Sequence, residues 1–331
     1  MNLDATYKRV SAWLEGCQRP LLLSHQRADG DSLGALAAMG RVLERRGARP
    51  AVMLFEPPPE SYRVLHHLAH WLVWNEAAQR VLPECDAVII VDTCALTQLE
   101  PAAEYLRDAP RTLVIDHHAT RDPIGTRAGD LRVLDETASA ACLLVAEWAR
   151  GAQLLSNSDV AMALFVGIAT DCGWFRFSNT DARSLRMVAE LVERGAQPAE
   201  LYDAIYQRDP PERLRLIGRM LGNMELHAGG RLAVLTLRPA DFQAAGADPS
   251  MAYDLVNEAG RLGCTEATLL FTEQPDGSIR VNLRSKRSLD VAALARRFGG
   301  GGHARAAGAT LRGKWDDVVP RMIEETCELL A

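Results

Sequence analysis

A chain of 331 residues, 48% apolar and 24% charged, is ordinary globular material, so two domains with separate cores are expected. The formal net charge of −6 argues against a protein that coats long nucleic acid, because such binding rests on many cationic phosphate contacts; any nucleic-acid substrate should be short. Seven cysteines, odd in number, scattered and without a CxxC pair, argue against a disulfide framework or a thiolate zinc site and for small core residues.

The opening segment carries Asp4, Lys8, Arg9 and Glu15 and no apolar run of signal-peptide length. No later segment approaches the roughly 18 uninterrupted apolar residues of a membrane helix, so a cytoplasmic location without membrane attachment is expected. Runs at Pro20 to His25, Arg49 to Phe55, Asp86 to Asp92 and Arg111 to His118 predict strands. Within them VIIV and LVI are apolar on consecutive residues, as in central parallel strands buried on both faces. Between the first two, Ser32 to Gly47 predicts a helix with a buried stripe of Leu33, Leu36, Ala37, Gly40, Val42 and Leu43, stopped by Gly47. HHLAH places His66, His67 and His70 at helical spacing, but no acid lies nearby, and a partly exposed helix is the better reading. Trp71, Trp74, Trp148 and Trp174 read as core, not base-stacking platforms, because no basic stripe accompanies them. Helices are predicted from about Ala138 to Arg150 and from a cap at Asn157 to near Asp171. This alternation predicts an α/β domain over residues 1–190, a parallel sheet with helices on both faces.

From Asp181 to Leu226 the pattern is helical, with DPPER (Asp209 to Arg213) starting a new helix, and a connector is expected over 191–227. After Gly229-Gly230, RLAVLTL, CTEATLLFTE and SIRVNLRSK read as strands, with Pro275 to Gly277 as a hairpin turn. A smaller mixed α/β domain is expected over 228–331. Basic residues are almost all Arg; the lysines are Lys8, Lys286 and Lys314, a compositional bias.

Four segments carry chemistry. SHQRADGDSLG sets His25, Asp29 and Asp31 between a strand and a helix, where open α/β sheets build their sites, although DGDS is also a good helix cap. VIIVDT ends in Asp92 directly after four buried β-branched residues. VIDHH ends a strand in Asp116, His117 and His118, an arrangement with no packing reason but with a reason in metal binding. GIATDCGWFRFSNT ends an apolar helical run in Asp171, whose charge opposes the helix dipole and calls for a compensating cation.

His25-x3-Asp29-x-Asp31, then Asp92, then Asp116-His117-His118, then Asp171, in that order, resemble the four motifs of the DHH phosphoesterase superfamily. NLRSK with GGGGHARAAG resembles the DHHA1 domain that usually follows, so the likeness runs from about Pro20 to Thr310. Length and domain pairing are most similar to the nanoRNase and pAp phosphatase group, which hydrolyses short oligoribonucleotides and 3′-phosphoadenosine 5′-phosphate; some relatives cleave cyclic di-AMP or pApA. The resemblance implies one metal on His25, Asp29 and Asp92 and a second on Asp31, Asp92, His117 and Asp171, with Asp92 bridging. Four ligand aspartates and two divalent ions then leave a nearly neutral site. Carboxylate and imidazole ligation without thiolate favours Mn²⁺, with Mg²⁺, Co²⁺, Fe²⁺ or Zn²⁺ as substitutes. Asp116 is expected to orient an imidazole, and His118 to face the substrate phosphate as donor or general acid.

The second domain is expected to bind the substrate's terminal phosphate and to close over it. Arg284 and Lys286, two apart on a strand, share a face. Gly299 to Gly302, including Gly300 and Gly301, are expected to present backbone N–H groups, with His303 and Arg305 beside them. Arg121, Thr137, Ser139, Arg176 and Asn179 are weaker candidates for the cleft, or simply helix caps. A family II inorganic pyrophosphatase shares the first-domain motifs, but GGGGH speaks against it. A nucleotide-binding sensor without catalysis is a reading from another class, and no ligand is missing to favour it. A recombination exonuclease of the RecJ kind needs further domains than this length allows. The ranking of nanoRNA, pAp, pApA and cyclic di-AMP stays open, and a homodimer is expected only by analogy.

Overall fold

A computed structural model describes residues 3–155 and 158–331 and divides into two compact units, one ending at Arg208 and one beginning at Asp209. Asn157, the expected cap, lies outside the described residues. The first unit contains α1 (Leu3–Leu14), β1 (Pro20–Leu23), α2 (Gly30–Arg45), β2 (Ala51–Leu54), β3 (Trp71–Val73), β4 (Ala87–Val91) and α3 (Ala103–Asp108). It continues through β5 (Thr112–Asp116), β6 (Leu131–Leu134), α4 (Ala141–Gly151), α5 (Ser158–Asp171), α6 (Ala182–Glu193) and α7 (Pro198–Tyr206).

Its six strands are all parallel, in the order β3-β2-β1-β4-β5-β6. The four strands read from the sequence are the central ones, fully or mostly buried. Edge strands β3 and β6 escaped because they are short and half-exposed: the WLV run is intermediate throughout, and LRVL alternates. The chain winds outward from β1 through β2 to β3, then returns to place β4 on the other side of β1. That reversal makes the carboxyl ends of β1 and β4 the switch point of the sheet, the place where such folds open a crevice.

One face of the sheet packs Leu22, Val52, Ile89 and Ile115 against α2, α4 and α5. The other packs Leu21, Leu23, Ile90 and Val114 beneath α3 and short 3₁₀ turns. The helical layer is unusually tight between α2 and α5. A Cβ on Gly34 would run into the Ala163 carbonyl, and one on Gly167 into the Cys142 sulfur and the Asp31 carboxylate. Close approach of these two helices draws the start of α2, which carries Asp29 and Asp31, toward the end of α5, which carries Asp171.

The second unit contains α8 (Pro211–Gly222), β7 (Glu225–His227), β8 (Leu232–Leu237), α9 (Pro239–Ala245), β9 (Ala267–Glu273) and β10 (Ile279–Ser285). It ends with α10 (Val291–Arg297), β11 (Gly301–His303), β12 (Ala306–Leu311) and α11 (Trp315–Leu330). Its sheet runs β11-β12-β10-β9-β8-β7 and is mixed, with β8 and β9 parallel and the other pairs antiparallel. Residues 191–227 are divided between the units: Leu191, Ala196 and Leu201 bury into the first core, and Leu216 and Met220 into the second.

A methyl group at residue 34 has a main-chain carbonyl in its way, which cannot move as a side chain could. Gly34→Ala is expected to cost about 1–3 kcal/mol of stability, read as a lowered urea midpoint, whereas Gly218→Ala, with open space around it, should leave the midpoint unchanged or raise it.

Candidate metal centre

Each chemically active side chain is delivered by a strand end or a helix end. Leu23 of β1 lies beside Ile90 of β4, and the Ser24 hydroxyl donates to the Val91 carbonyl at 2.8 Å, so the chain leaves both strands side by side. Asp92 takes a positive φ of 63°, a costly conformation for a non-glycine residue, while its N–H donates to the Ile115 carbonyl at 2.9 Å. Its Oδ2 lies 3.1 Å from His25 Nε2. Asp29 caps α2, with Oδ1 accepting the N–H groups of Asp31 and Ser32, both at 3.1 Å.

Asp31, in the first turn of α2, also accepts the N–H groups of Ala141 at 2.6 Å and Cys142 at 2.8 Å, the start of α4. His117 follows β5, and its Nδ1 donates to the Ala138 carbonyl at 3.2 Å, which turns Nε2 inward. From there Nε2 is 3.5 Å from Asp92 Oδ1, 3.8 Å from Asp171 Oδ2 and 3.9 Å from Asp31 Oδ2. His118 Nδ1 donates to Asp116 Oδ1 at 2.9 Å, so the imidazole that Asp116 orients is His118. The side chains gather into three groups whose ligand atoms lie within 4.8 Å of one another: His25, Asp29 and Asp92; Asp31, His117 and Asp171; and Asp92, His117 and His118.

Charge crowding is severe. Burial and the neighbouring charges of Asp92 and Asp171 push the Asp31 carboxyl well above the usual range. Burial, then Asp92 and Asp29 against the pull of His117, pushes Asp171 up to about 7. Burial alone would lower His25 and His117, but hydrogen bonds to Asp92 and the surrounding carboxylates lift them to about 9 and about 10. For Asp92 the penalty of burial is outweighed by the hydrogen bonds from His117 and His25, and it stays ionised. Hard oxygen donors and imidazoles crowded to this degree are suited to divalent cations, and the described site contains no thiolate donor.

The sequence matches the family models for the DHH family, N-terminal domain, over residues 21–168 and for the DHHA1 domain over 230–331. It is 30% identical over 326 residues to the bifunctional oligoribonuclease and PAP phosphatase NrnA of Thermus thermophilus, spanning 97% of this chain and 93% of that protein. The chain belongs to the DHH family of phosphoesterases. The protein of the same name from Bacillus subtilis is 28% identical over 300 residues, 90% of each chain. The crystal structure of an exopolyphosphatase-related protein from Bacteroides fragilis shares the fold, with a TM-score of 0.90 at 21% identity over 98% of this chain and 96% of that one. The protein is accordingly an enzyme, a phosphoesterase, with acid and imidazole clusters that could bind metal.

Ser32 was missed by sequence reasoning. Its hydroxyl lies 2.6 Å from His25 Nε2 and donates to Asp92 Oδ2 at 2.8 Å, tying both to the start of α2. Its only signal was a place directly after two acids in a helix-opening turn. The weaker candidates make local contacts: Arg121 pairs with Glu136 at 2.8 Å, Thr137 Oγ1 donates to Asp135 at 2.6 Å, and Arg176 Nε donates to the Gly173 carbonyl at 2.8 Å. Asn179 Nδ2 donates to the carbonyls of Ser139 at 3.1 Å and Asp171 at 3.2 Å. His66 Nε2 lies 3.1 Å from the Pro59 carbonyl, and among the described residues no metal-competent group includes His66, His67 or His70. Trp148 is buried, while half-buried Trp174 packs edge-on to Tyr202 and Tyr206.

In the second unit, Arg284 Nε donates to Asn257 at 3.0 Å with Asp254 at 3.5 Å, and the Lys286 ammonium donates to the Leu262 carbonyl. Among the described residues the exposed Arg305 guanidinium makes only long contacts, 3.4 Å to Ser285 Oγ and 3.5 Å to the Leu289 carbonyl. The glycine run departs from expectation. The N–H groups of Gly299 and Gly300 close the end of α10 on the carbonyls of Arg296 and Ala295, and Gly301–His303 form β11 against β12. Gly300 lies so close to Gly308 and Ala309 that no side chain fits, so packing explains it. The His303 side chain lies outside the described residues.

In metal-free protein the raised values of His25, His117 and Asp171 act in one direction. The two imidazoles stabilise the fold fully below their unfolded value of about 6.5, and lose that contribution as pH rises through about 9 and about 10. The proton held by Asp171 is lost through about 7. Chelator-stripped protein should therefore melt at lower temperature as pH rises from 6 to about 9.5, and the increase in Tm on adding Mn²⁺ should widen over the same range, because metal replaces those protons. Thermal unfolding at three pH values checks this; a metal increment that shrinks with pH would contradict it.

Proposed function

We propose that this phosphoesterase hydrolyses short oligoribonucleotides and 3′-phosphoadenosine 5′-phosphate with two Mn²⁺ ions, one held by His25, Asp29 and Asp92 and the other by Asp31, Asp92, His117 and Asp171. The observation that carries the reading is the Asp92 carboxylate, whose Oδ2 faces His25 at 3.1 Å while its Oδ1 faces His117 at 3.5 Å. One carboxylate aimed at two imidazoles would serve both ligand sets. The names of the relatives from Thermus thermophilus and Bacillus subtilis support the substrate class.

Bound there, two divalent ions supply an activated water and charge stabilisation for in-line attack at phosphorus. The chain's own part is to aim and to donate. His117 is held by Ala138, leaving Nε2 for the metal side; Ser32 steadies His25 against Asp92. His118 has Nδ1 held by Asp116, and its imidazole would meet a phosphate oxygen or protonate the leaving group. In the second unit Arg284, Lys286, His303 and Arg305, with the strand of Gly301 and Gly302, bind substrate phosphate; Gly300 contributes through packing.

Hydrolysis of pAp, pApA, cyclic di-AMP, RNA oligomers of two to five nucleotides and pyrophosphate with Mn²⁺ tests this. Short RNA and pAp should be turned over, and Asp92→Asn should lower every rate by roughly a thousandfold or more, the several kcal/mol that two bridged ions supply. Retained activity would falsify the ligand assignment, and pyrophosphate turned over fastest would point to an inorganic pyrophosphatase. Arg305→Ala, losing a charge-assisted hydrogen bond of about 1.5–3 kcal/mol, should raise KM by about tenfold or more with kcat little changed.

A further inference from the structure

Residues 135–142 join β6 to α4, and among the described residues their hydrogen bonds to the metal centre reach His117, Asp31 and, through Asn179, the Asp171 backbone. The Ala138 carbonyl accepts from His117 Nδ1 at 3.2 Å. The Ser139 carbonyl accepts from Asn179 Nδ2 at 3.1 Å, and that amide also reaches the Asp171 carbonyl at 3.2 Å. The N–H groups of Ala141 and Cys142 hold the two oxygens of Asp31 at 2.6 and 2.8 Å. His25, Asp29 and Asp92 are steadied elsewhere, by the Gln26 carbonyl, the first turn of α2 and Ser32.

One guanidinium grips both the start of this segment and the helix that follows it. At the start, Asp135 Oδ1 accepts the N–H of Thr137 at 3.0 Å and its hydroxyl at 2.6 Å, and Oδ2 accepts from Arg183 Nη1 at 2.8 Å. Beyond the far end, Arg183 Nε and Nη2 donate to the two oxygens of Glu147 on α4, both at 2.6 Å, and the Tyr7 hydroxyl donates to Glu147 Oε2 at 2.6 Å. Side-chain exposures of 21% for Arg183, 13% for Asp135 and 9% for Glu147 keep these contacts largely away from water, where charge-assisted bonds are strong. Only a planar fork serves two carboxylates in this way; a lysine ammonium is a single point.

We propose that Arg183 is a positioning residue for one metal ion of the pair. By bracing Asp135 and Glu147 it sets segment 135–142, and so the aim of His117 and Asp31, while the set of His25, Asp29 and Asp92 does not depend on it. This rests on the two-ion reading above.

The test is Mn²⁺ binding to chelator-stripped protein, with free Mn²⁺ counted by electron paramagnetic resonance. Wild type should bind two ions per chain. In Arg183→Gln one ion should keep its affinity within about twofold and the other weaken by about tenfold or more, the scale on which groups behind metal ligands act. Asp135→Asn, nearly isosteric, should give the same selective loss, and the double variant no more than either single one, because both break one device. Tyr7→Phe removes a hydrogen bond to Glu147 but keeps the fork, so it should lower Tm and leave both affinities unchanged. If Arg183→Gln fails to fold, Asp135→Asn carries the comparison. Two ions of unchanged affinity in the folded variants, or equal weakening of both, overturn the inference alone. A wild type that binds fewer than two overturns the two-ion reading and this inference with it.

Discussion

The constraint on which the first unit depends is the repulsion among Asp29, Asp31, Asp92 and Asp171. Four carboxylates brought this close, most of them out of water, raise one another's proton affinity or stay charged at a cost. A fold that holds them there must supply cations or donors at every turn. Two imidazoles sit among them, and backbone N–H groups from the starts of two helices point at Asp29 and Asp31. The helix dipole of α4 favours the charge that Asp31 brings, whereas α5 ends in Asp171 against its own dipole. A divalent cation bound there would resolve what these partial measures leave.

Topology does the gathering. Because the chain reverses its winding between β3 and β4, two strands that leave their connections in opposite directions lie side by side, and their carboxyl ends open between β1 and β4. His25 and Asp92 need only follow those strands to meet. Bringing the helix-borne acids to the same place is a matter of packing. Where α2 crosses α5, glycines at 34 and 167 allow main chains to approach, and Asp31 descends far enough to cap α4. Positions that look like neutral small residues therefore control the spacing of charged groups.

In the second unit the same physics produced a different outcome. A run of four glycines invites reading as a phosphate cradle, yet two of its N–H groups terminate a helix and one glycine is required by a neighbouring strand. Backbone donors are available to a ligand only where the fold has not already used them. Arg305, exposed and loosely held, retains the donors that such a role needs, while Arg284 and Lys286 also tie β10 to the 3₁₀ segment beside it.

By itself the sequence determined the class of fold, the buried strands and the order of the acid and imidazole clusters. These are local patterns: apolar runs mark buried strands, and an acid at the end of one has no packing motive. Short, half-exposed β3 and β6 left no such pattern. Only the tertiary structure decided that Asp92 turns one oxygen to each imidazole, that Asp116 serves His118 while a carbonyl serves His117, that Ser32 joins the centre, and that Arg183 spans 48 residues of chain to grip Asp135. The reason is that those relations are distances between residues far apart in the chain, set by sheet register and by how closely helices pack, and neither is written in any one segment.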